Sequence, residues 1–238
     1  MLKKCVIILL VGCSALLAQL RGDEKVIVTV SKEWDSNEAS LFLFERSGDS
    51  WRPVGEAIPV HYGEKGLAWG NGVHPGQEGL QKEEGDKRSP AGMFTVGALY
   101  GLEERPPEGV RVPYRRITGE TRCIDDGDSP LYNQVVEKKG DDSSWTSAEH
   151  MVRANPDYKY VLLVEHNRGN VPGNGSCIFL HINNVPTSGC TSMDEEAMVR
   201  LLRWLEPGRR TVLVQLPEPE YRRLQQEWSL PPLPEMNP

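Results

Sequence analysis

Beyond its first twenty residues this 238-residue chain has no apolar run long enough to cross a bilayer, which excludes a polytopic membrane protein. It has no surplus of basic residues either. Its 27 Lys and Arg face 34 Asp and Glu, a formal charge of −7, so the electrostatic footprint of a nucleic-acid binder is missing. Histidine is scarce, with 5 in all, and no second CxxC or HxxxH pair completes a set of four zinc ligands. There is no internal repeat and no linker that would force a second domain. What the chain does have is 23 Gly and 18 Pro, which predicts a loop-rich, turn-rich fold and excludes a coiled coil or helical bundle. Its length suits one sizeable domain with a small appendage.

The appendage is N-terminal. Lys3-Lys4, the apolar stretch Val6 to Val11 and the small residues that follow precede the charged segment Arg21-Gly22-Asp23-Glu24-Lys25. This is the pattern of a secretory signal over residues 1–22, leaving 23–238 as one domain of an exported protein. Leu10-Val11-Gly12-Cys13 resembles a bacterial lipobox, which would make Cys13 a lipid anchor; a plain cut near Ala18 fits the same residues. The remaining chain keeps Cys123, Cys177 and Cys190. In an oxidising compartment three cysteines suggest one disulfide and one thiol left over.

The domain reads as mainly β with a few short helices. Val26–Val30, Leu41–Phe44, Tyr160–Val164, Cys177–Ile182 and Thr211–Leu216 are rich in β-branched and aromatic residues and predict strands. A turn at Gly48-Asp49-Ser50 predicts a hairpin toward Trp51. Between Tyr62 and Gly101 glycine dominates, with Met93–Val96 as a short apolar island. Helices are predicted around Ser147–Ala154, from Ser192 and over Tyr221–Trp228. The second has Glu195 three residues after Ser192, a capping box, followed by Met198, Leu201, Leu202 and Leu205 on one face.

The chemistry concentrates in residues 177–193. On a strand, Cys177, Phe179 and His181 share one face and Ile178, Leu180 and Ile182 the other. Cys177 lies about 13 Å along the strand from His181, too far for proton transfer. Cys190 follows a loop containing Pro186 and Gly189 that can fold back, and it precedes the predicted helix, whose N-terminus favours a thiolate. A cysteine beside a histidine is the arrangement of an activated sulfur nucleophile. Ser188, Gly189 and Thr191 flank it as candidates for an oxyanion-binding loop and its support. The same residues also admit a hydrogen-bonded core histidine, or a bridge from Cys190 to Cys123 or Cys177.

The segment Gly175-Ser176-Cys177-Ile178-Phe179-Leu180-His181-Ile182, followed by Pro186-Thr187-Ser188-Gly189-Cys190-Thr191-Ser192-Met193, resembles the L,D-transpeptidase (YkuD-like) catalytic domain. The resemblance is to a branch reading "FLH, short loop, PT-small-GCT-small-M". Tyr62–Gly70, Gly85–Phe94, Cys123–Asp126, Ser129–Asn133 and Glu165-His166-Asn167 are similar to further segments of the family, in order, so that the likeness runs from Ile58 to Leu216.

The resemblance implies a β-sandwich-like catalytic core and a peptidoglycan enzyme of the periplasm or cell envelope. Cys190 is then the nucleophile that attacks the third residue of a stem tetrapeptide and releases D-alanine. His181 is the general base, and the acyl group passes to a second stem or to a lipoprotein lysine. Transfer to water would make an L,D-carboxypeptidase or amidase, and an unreactive cysteine a non-catalytic wall-binding protein. The resemblance also implies a Cys123–Cys177 disulfide and no metal or organic cofactor. Three departures stand out. Ser188 replaces the histidine that better-known members place before Gly-Cys, Ser192 replaces their Arg or Asn, and His181 lies only nine residues before Cys190. His166, Lys87 and Arg88 remain as candidate substrate contacts.

Overall fold

The structure is a computed structural model that describes residues 20, 24–48, 50–140, 144–152 and 155–234. Apart from Leu20, the expected signal lies outside the described residues, as does Cys13. In chain order the elements are β1 (Lys25–Ser31), β2 (Glu38–Ser47), β3 (Ser50–Pro53), β4 (Ile58–His61), β5 (Leu67–Trp69), β6 (Ser89–Gly101), β7 (Tyr114–Arg116), β8 (Thr121–Cys123), β9 (Val135–Glu137) and β10 (Glu149–His150). A 3₁₀ turn at Pro156–Tyr158 leads to β11 (Val161–Val164), β12 (Phe179–Ile182), β13 (Thr191–Met193), α1 (Glu195–Trp204), β14 (Thr211–Pro217) and α2 (Glu218–Leu224). The chain is mainly β, as its sequence predicts.

The large sheet runs β1-β14-β6-β11-β12-β13-β4-β2, and β2 pairs back onto β1, so these eight strands close on themselves. The two halves of the expected sandwich are therefore joined at both edges. Closure leaves no open edge among these eight. Strand alternation then sorts the side chains. Ile27, Leu41, Leu43, Phe94, Leu162, Leu180, Ile182 and Leu213 point inward, where Met198, Leu201, Leu202 and Leu205 of α1 pack with them. Val26, Val28, Phe44, Val212 and Val214 point outward under Tyr221 and Leu224 of α2, which is why β1 and β14 are buried on both faces. A third cluster, built on Tyr100, Cys123, Met151, Tyr158, Val161, Cys177 and Phe179, lies between the outer face of β11 and β12 and a small sheet β10-β8-β9.

Several expectations need correction. The Ser147–Ala154 segment is not helical where it is described: Glu149 and His150 pair with β8 instead. Residues 153 and 154 lie outside the described set. Met93–Val96 is not a short island but the middle of β6, thirteen residues long. Its sequence signal is broken by Pro90, Gly92 and Gly97. Gly92 has φ 137°, and a Cβ there would fall 1.9 Å from the His74 ring, so glycine is required. The last helix starts and ends earlier than the reading of Tyr221–Trp228. Finally, Ser192 does not cap α1. It lies in β13, and Asp194 is the cap, its carboxylate accepting from Ala197 N at 2.7 Å.

Candidate active site

Cys190 and His181 come together because β12 and β13 are neighbouring parallel strands, with Leu180 opposite Thr191 and His181 opposite Ser192. Cys190 immediately precedes β13 and is level with Phe179, on the outward face that Phe179 and His181 share. From strand spacing the Cα atoms of Cys190 and His181 are about 8 Å apart, close enough for both side chains to reach into the space between them. Both line one cavity of about 350 Å³, together with Ser188, Gly189, Tyr158 and several carboxylates. The arrangement differs from expectation in one respect. Three residues of strand separate Cys190 from α1, so the helix terminus is not beside the sulfur and its dipole does not act there.

The sulfur is held by backbone groups. Phe179 N–H donates to Cys190 Sγ at 3.4 Å, and the thiol donates to Cys177 O at 3.5 Å. His181 Nδ1 lies 3.2 Å from Ile182 O. A carbonyl can only accept, so Nδ1 carries the proton and Nε2 presents its lone pair, the tautomer a general base requires. The Tyr158 ring meets the imidazole edge-on at 5.6 Å between centroids and fixes its plane, while its hydroxyl donates to Glu149.

Cys177 does not belong to β12. It has φ 55°, and its N–H donates to Asn133 Oδ1 at 3.0 Å. Its sulfur is joined to Cys123, 54 residues earlier. Cys190 is the described cysteine that takes no part in a disulfide. The left-handed backbone at Cys177 turns its carbonyl toward the Cys190 sulfur, and the disulfide and Asn133 hold it there.

The Cys190 carbonyl is held as well, accepting from Ser89 Oγ at 2.7 Å and Thr187 Oγ1 at 2.6 Å. Gly189 N–H donates to Thr187 Oγ1 at 3.0 Å and is thereby occupied. Thr191 points to the interior, where its hydroxyl donates to Gln215 Oε1 at 2.6 Å. Gln215, fully buried, also donates from Nε2 to Pro90 O at 2.9 Å. Ser192 is likewise buried and donates to Val185 O at 3.0 Å, so it braces the 183–187 loop rather than facing a substrate carboxylate. Ser89, Thr187, Gln215 and Asn133 are supports that sequence reading did not single out. Ser89, Asn133 and Gln215 come from distant segments and Thr187 from the same loop; Ser89, Thr187 and Asn133 fall inside segments that resemble the family, though their residue types alone do not mark them as supports.

The three candidate substrate contacts do not line this cavity. His166 is buried behind it, donating from Nε2 to Asn174 O at 2.8 Å and packed edge-on against Phe94. Burial disfavours its charged form and pushes its pKa down to about 4, so it is a neutral core residue. Lys87 pairs on the surface with Glu64 at 2.7 Å. Arg88 turns away to Asp35 at 2.7 Å and to Leu67 O at 3.0 Å.

No curated protein sequence gives a significant match to the chain. Among solved structures, the helical cell shape determining protein Pgp2 from Campylobacter jejuni aligns at 11% identity and a TM-score of 0.39, over 84% of this chain and 50% of that one. The chain thus spans half the length of that protein. A family model of the L,D-transpeptidase catalytic domain (YkuD) matches residues 36–214, a span that holds β4 through β13, the cysteine–histidine cavity and the disulfide. With that match over most of its length, the chain belongs to the YkuD family of L,D-transpeptidase catalytic domains.

Proposed function

We propose that the protein is a cysteine acyltransferase of the bacterial cell envelope that acts on peptidoglycan stem peptides as an L,D-transpeptidase. The observation that carries this reading is that Cys190, the described cysteine outside the disulfide, lines one cavity with a histidine of the right tautomer, while Cys123 and Cys177 are bonded to each other. His181 Nε2 takes the proton of Cys190 Sγ, and the sulfur forms a bond to the carbonyl carbon of the third stem residue. The oxyanion develops against the 188–190 loop. As the C–N bond to D-alanine breaks, His181 returns the proton to the leaving nitrogen, and a thioester remains. An amine of a second stem, or a lipoprotein lysine, then attacks the thioester, His181 takes its proton, and the sulfur leaves. A disulfide buried beside the nucleophile suits an oxidising compartment, in keeping with export through residues 1–22.

The test is mass spectrometry of disaccharide-tetrapeptide incubated with the protein and with Cys190→Ala. Conversion by the parent alone supports the nucleophile. A crosslinked dimer identifies transfer to an amine, and free tripeptide identifies an L,D-carboxypeptidase. Equal conversion by both proteins overturns the assignment of Cys190; conversion by neither removes the catalytic reading and favours a wall-binding role or a different scissile bond.

A further inference from the structure

A second cavity, of about 420 Å³, is lined by Leu67 of β5 and by Arg88, the residue just before β6. That volume falls in the range of small-molecule sites, roughly 300–1,000 Å³. Trp34 and Trp69 line it with their rings edge to face, 5.0 Å between centroids, forming an aromatic corner. Trp34 is half-buried and Trp69, behind it, is 3% exposed, so Trp34 is the ring that presents surface to a ligand and Trp69 is its backing. Charged side chains surround the corner. Arg88 pairs with Asp35, whose side chain is 80% exposed, and Arg223 pairs with Glu220 and donates to Gln77 Oε1 at 3.1 Å.

The corner is built rather than incidental. Trp34 O accepts from Leu67 N at 2.7 Å, and a Cβ on Gly66, at φ 79°, would fall 2.1 Å from that oxygen. Only glycine lets the two backbones meet so closely. Trp69 is fixed at both backbone groups, accepting from Lys82 N at 2.7 Å and donating to Leu80 O at 2.8 Å. Gly79, at φ 118°, passes over the indole edge with room for a Cβ only at 3.4 Å.

An indole face bordered by carboxylates and guanidinium groups matches one ligand chemistry well. The C–H face of a pyranose ring stacks on an electron-rich indole. Its hydroxyls each donate and accept, which suits Asp35, Glu220, Arg88 and Arg223, two of them acceptors and two fixed donors. The two cavities also share a wall. Glu64 faces the Cys190 cavity and Leu67 the aromatic one; Lys82 and Glu84 face the first and Arg88 the second. Three residues of extended stem peptide reach about 10 Å at most, which suits a sugar held next to the peptide it carries.

We propose that the Trp34–Trp69 cavity binds an N-acetylhexosamine ring of the glycan strand beside the stem peptide at Cys190. The N-acetylhexosamine identity of the sugar and its position relative to the stem rest on the peptidoglycan reading; binding of a pyranose at the aromatic corner does not.

The test is a saturation-transfer NMR titration of the intact protein with the stem-free disaccharide N-acetylglucosaminyl-N-acetylmuramic acid. Saturable binding is expected, at least tenfold weaker in Trp34→Ala and partly restored in Trp34→Phe. Arg223→Ala, on the half-exposed rim, provides a second variant free of core disruption and weakens binding about threefold. Absence of saturable binding, unchanged affinity in both Trp34→Ala and Arg223→Ala, or displacement of the disaccharide by sugar-free tetrapeptide overturns the proposal. Turnover is not read in this titration. Binding without turnover by Cys190 would leave the sugar site standing and remove the catalytic reading; turnover without binding would do the reverse.

Discussion

Replacing Cys123 and Cys177 together by alanine tests the claim that the disulfide both stabilises the domain and places the nucleophile. The bridge closes a loop with a sequence separation of 54. The chain-entropy relation, −2.1 − 1.5R ln n, gives about −14 cal/mol/K for a loop of that length, or about 4 kcal/mol at 298 K. For a domain of this size that corresponds to a fall in melting temperature of roughly 8–16 °C. Alanine is preferred to serine because Cys123 is fully buried and a hydroxyl there needs a partner. Calorimetry or urea unfolding reads the stability. At a temperature where the variant remains folded, stem-peptide turnover reads the site. With Cys177 released, its carbonyl is no longer fixed at the Cys190 sulfur, and kcat falls more than KM rises. A loss of stability under about 1 kcal/mol together with unchanged turnover refutes the reasoning. So does peptide mapping of the parent that finds Cys190 in a native bridge.

Three further perturbations follow from the same geometry. His166 has its folded pKa pushed down to about 4, whereas the unfolded chain titrates near the ordinary 6.5, so the unfolded state binds more protons between these values. Stability is therefore full above pH 6.5 and is lost as pH falls toward 4, by about 3 kcal/mol. Urea midpoints across this window should show the slope, and His166→Gln should flatten it. Gln215→Leu strands the Thr191 hydroxyl and Pro90 O in the interior and should cost about 1–3 kcal/mol in urea unfolding. Ser89→Ala removes the donor to Cys190 O and the acceptor for Gly63 N–H. It should lower kcat on the order of tenfold through a misplaced nucleophile, and an unchanged kcat would show that Thr187 alone fixes that carbonyl.

What could be read from sequence follows the range over which each interaction acts. Strands such as Val26–Val30 and Thr211–Leu216 announce themselves because β-branched side chains buried on both faces leave an unbroken apolar run. β6 does not, because the glycines that let His74 and its neighbours approach it also erase its strand signal. Cys190 and His181 were legible because the period of two puts His181 on a definite face and the loop length brings the cysteine back. The helix expected to begin at Ser192 failed because Thr191–Met193 are drawn into pairing with β12, and Asp194 caps as well as serine does. Ser89 is 101 residues from the carbonyl it holds, and a contact of that range leaves no periodicity to detect.

The covalent link between Cys123 and Cys177 has a consequence for how this domain can change. The closed sheet carries Cys190 and His181, whereas Asp125, Glu149, Asp157 and Tyr158 reach the cavity from the intervening stretch of chain. That stretch is tied down at both ends, one of them next to the reactive sulfur. Outside β11, which belongs to the closed sheet, and Asn133 and Tyr158, which brace Cys177 and His181, that stretch can be rewritten while the nucleophile keeps its place. Under the proposed function, most of the recognition surface and the reacting pair sit on separable pieces of one polypeptide, and substrate preference can drift while the chemistry is kept.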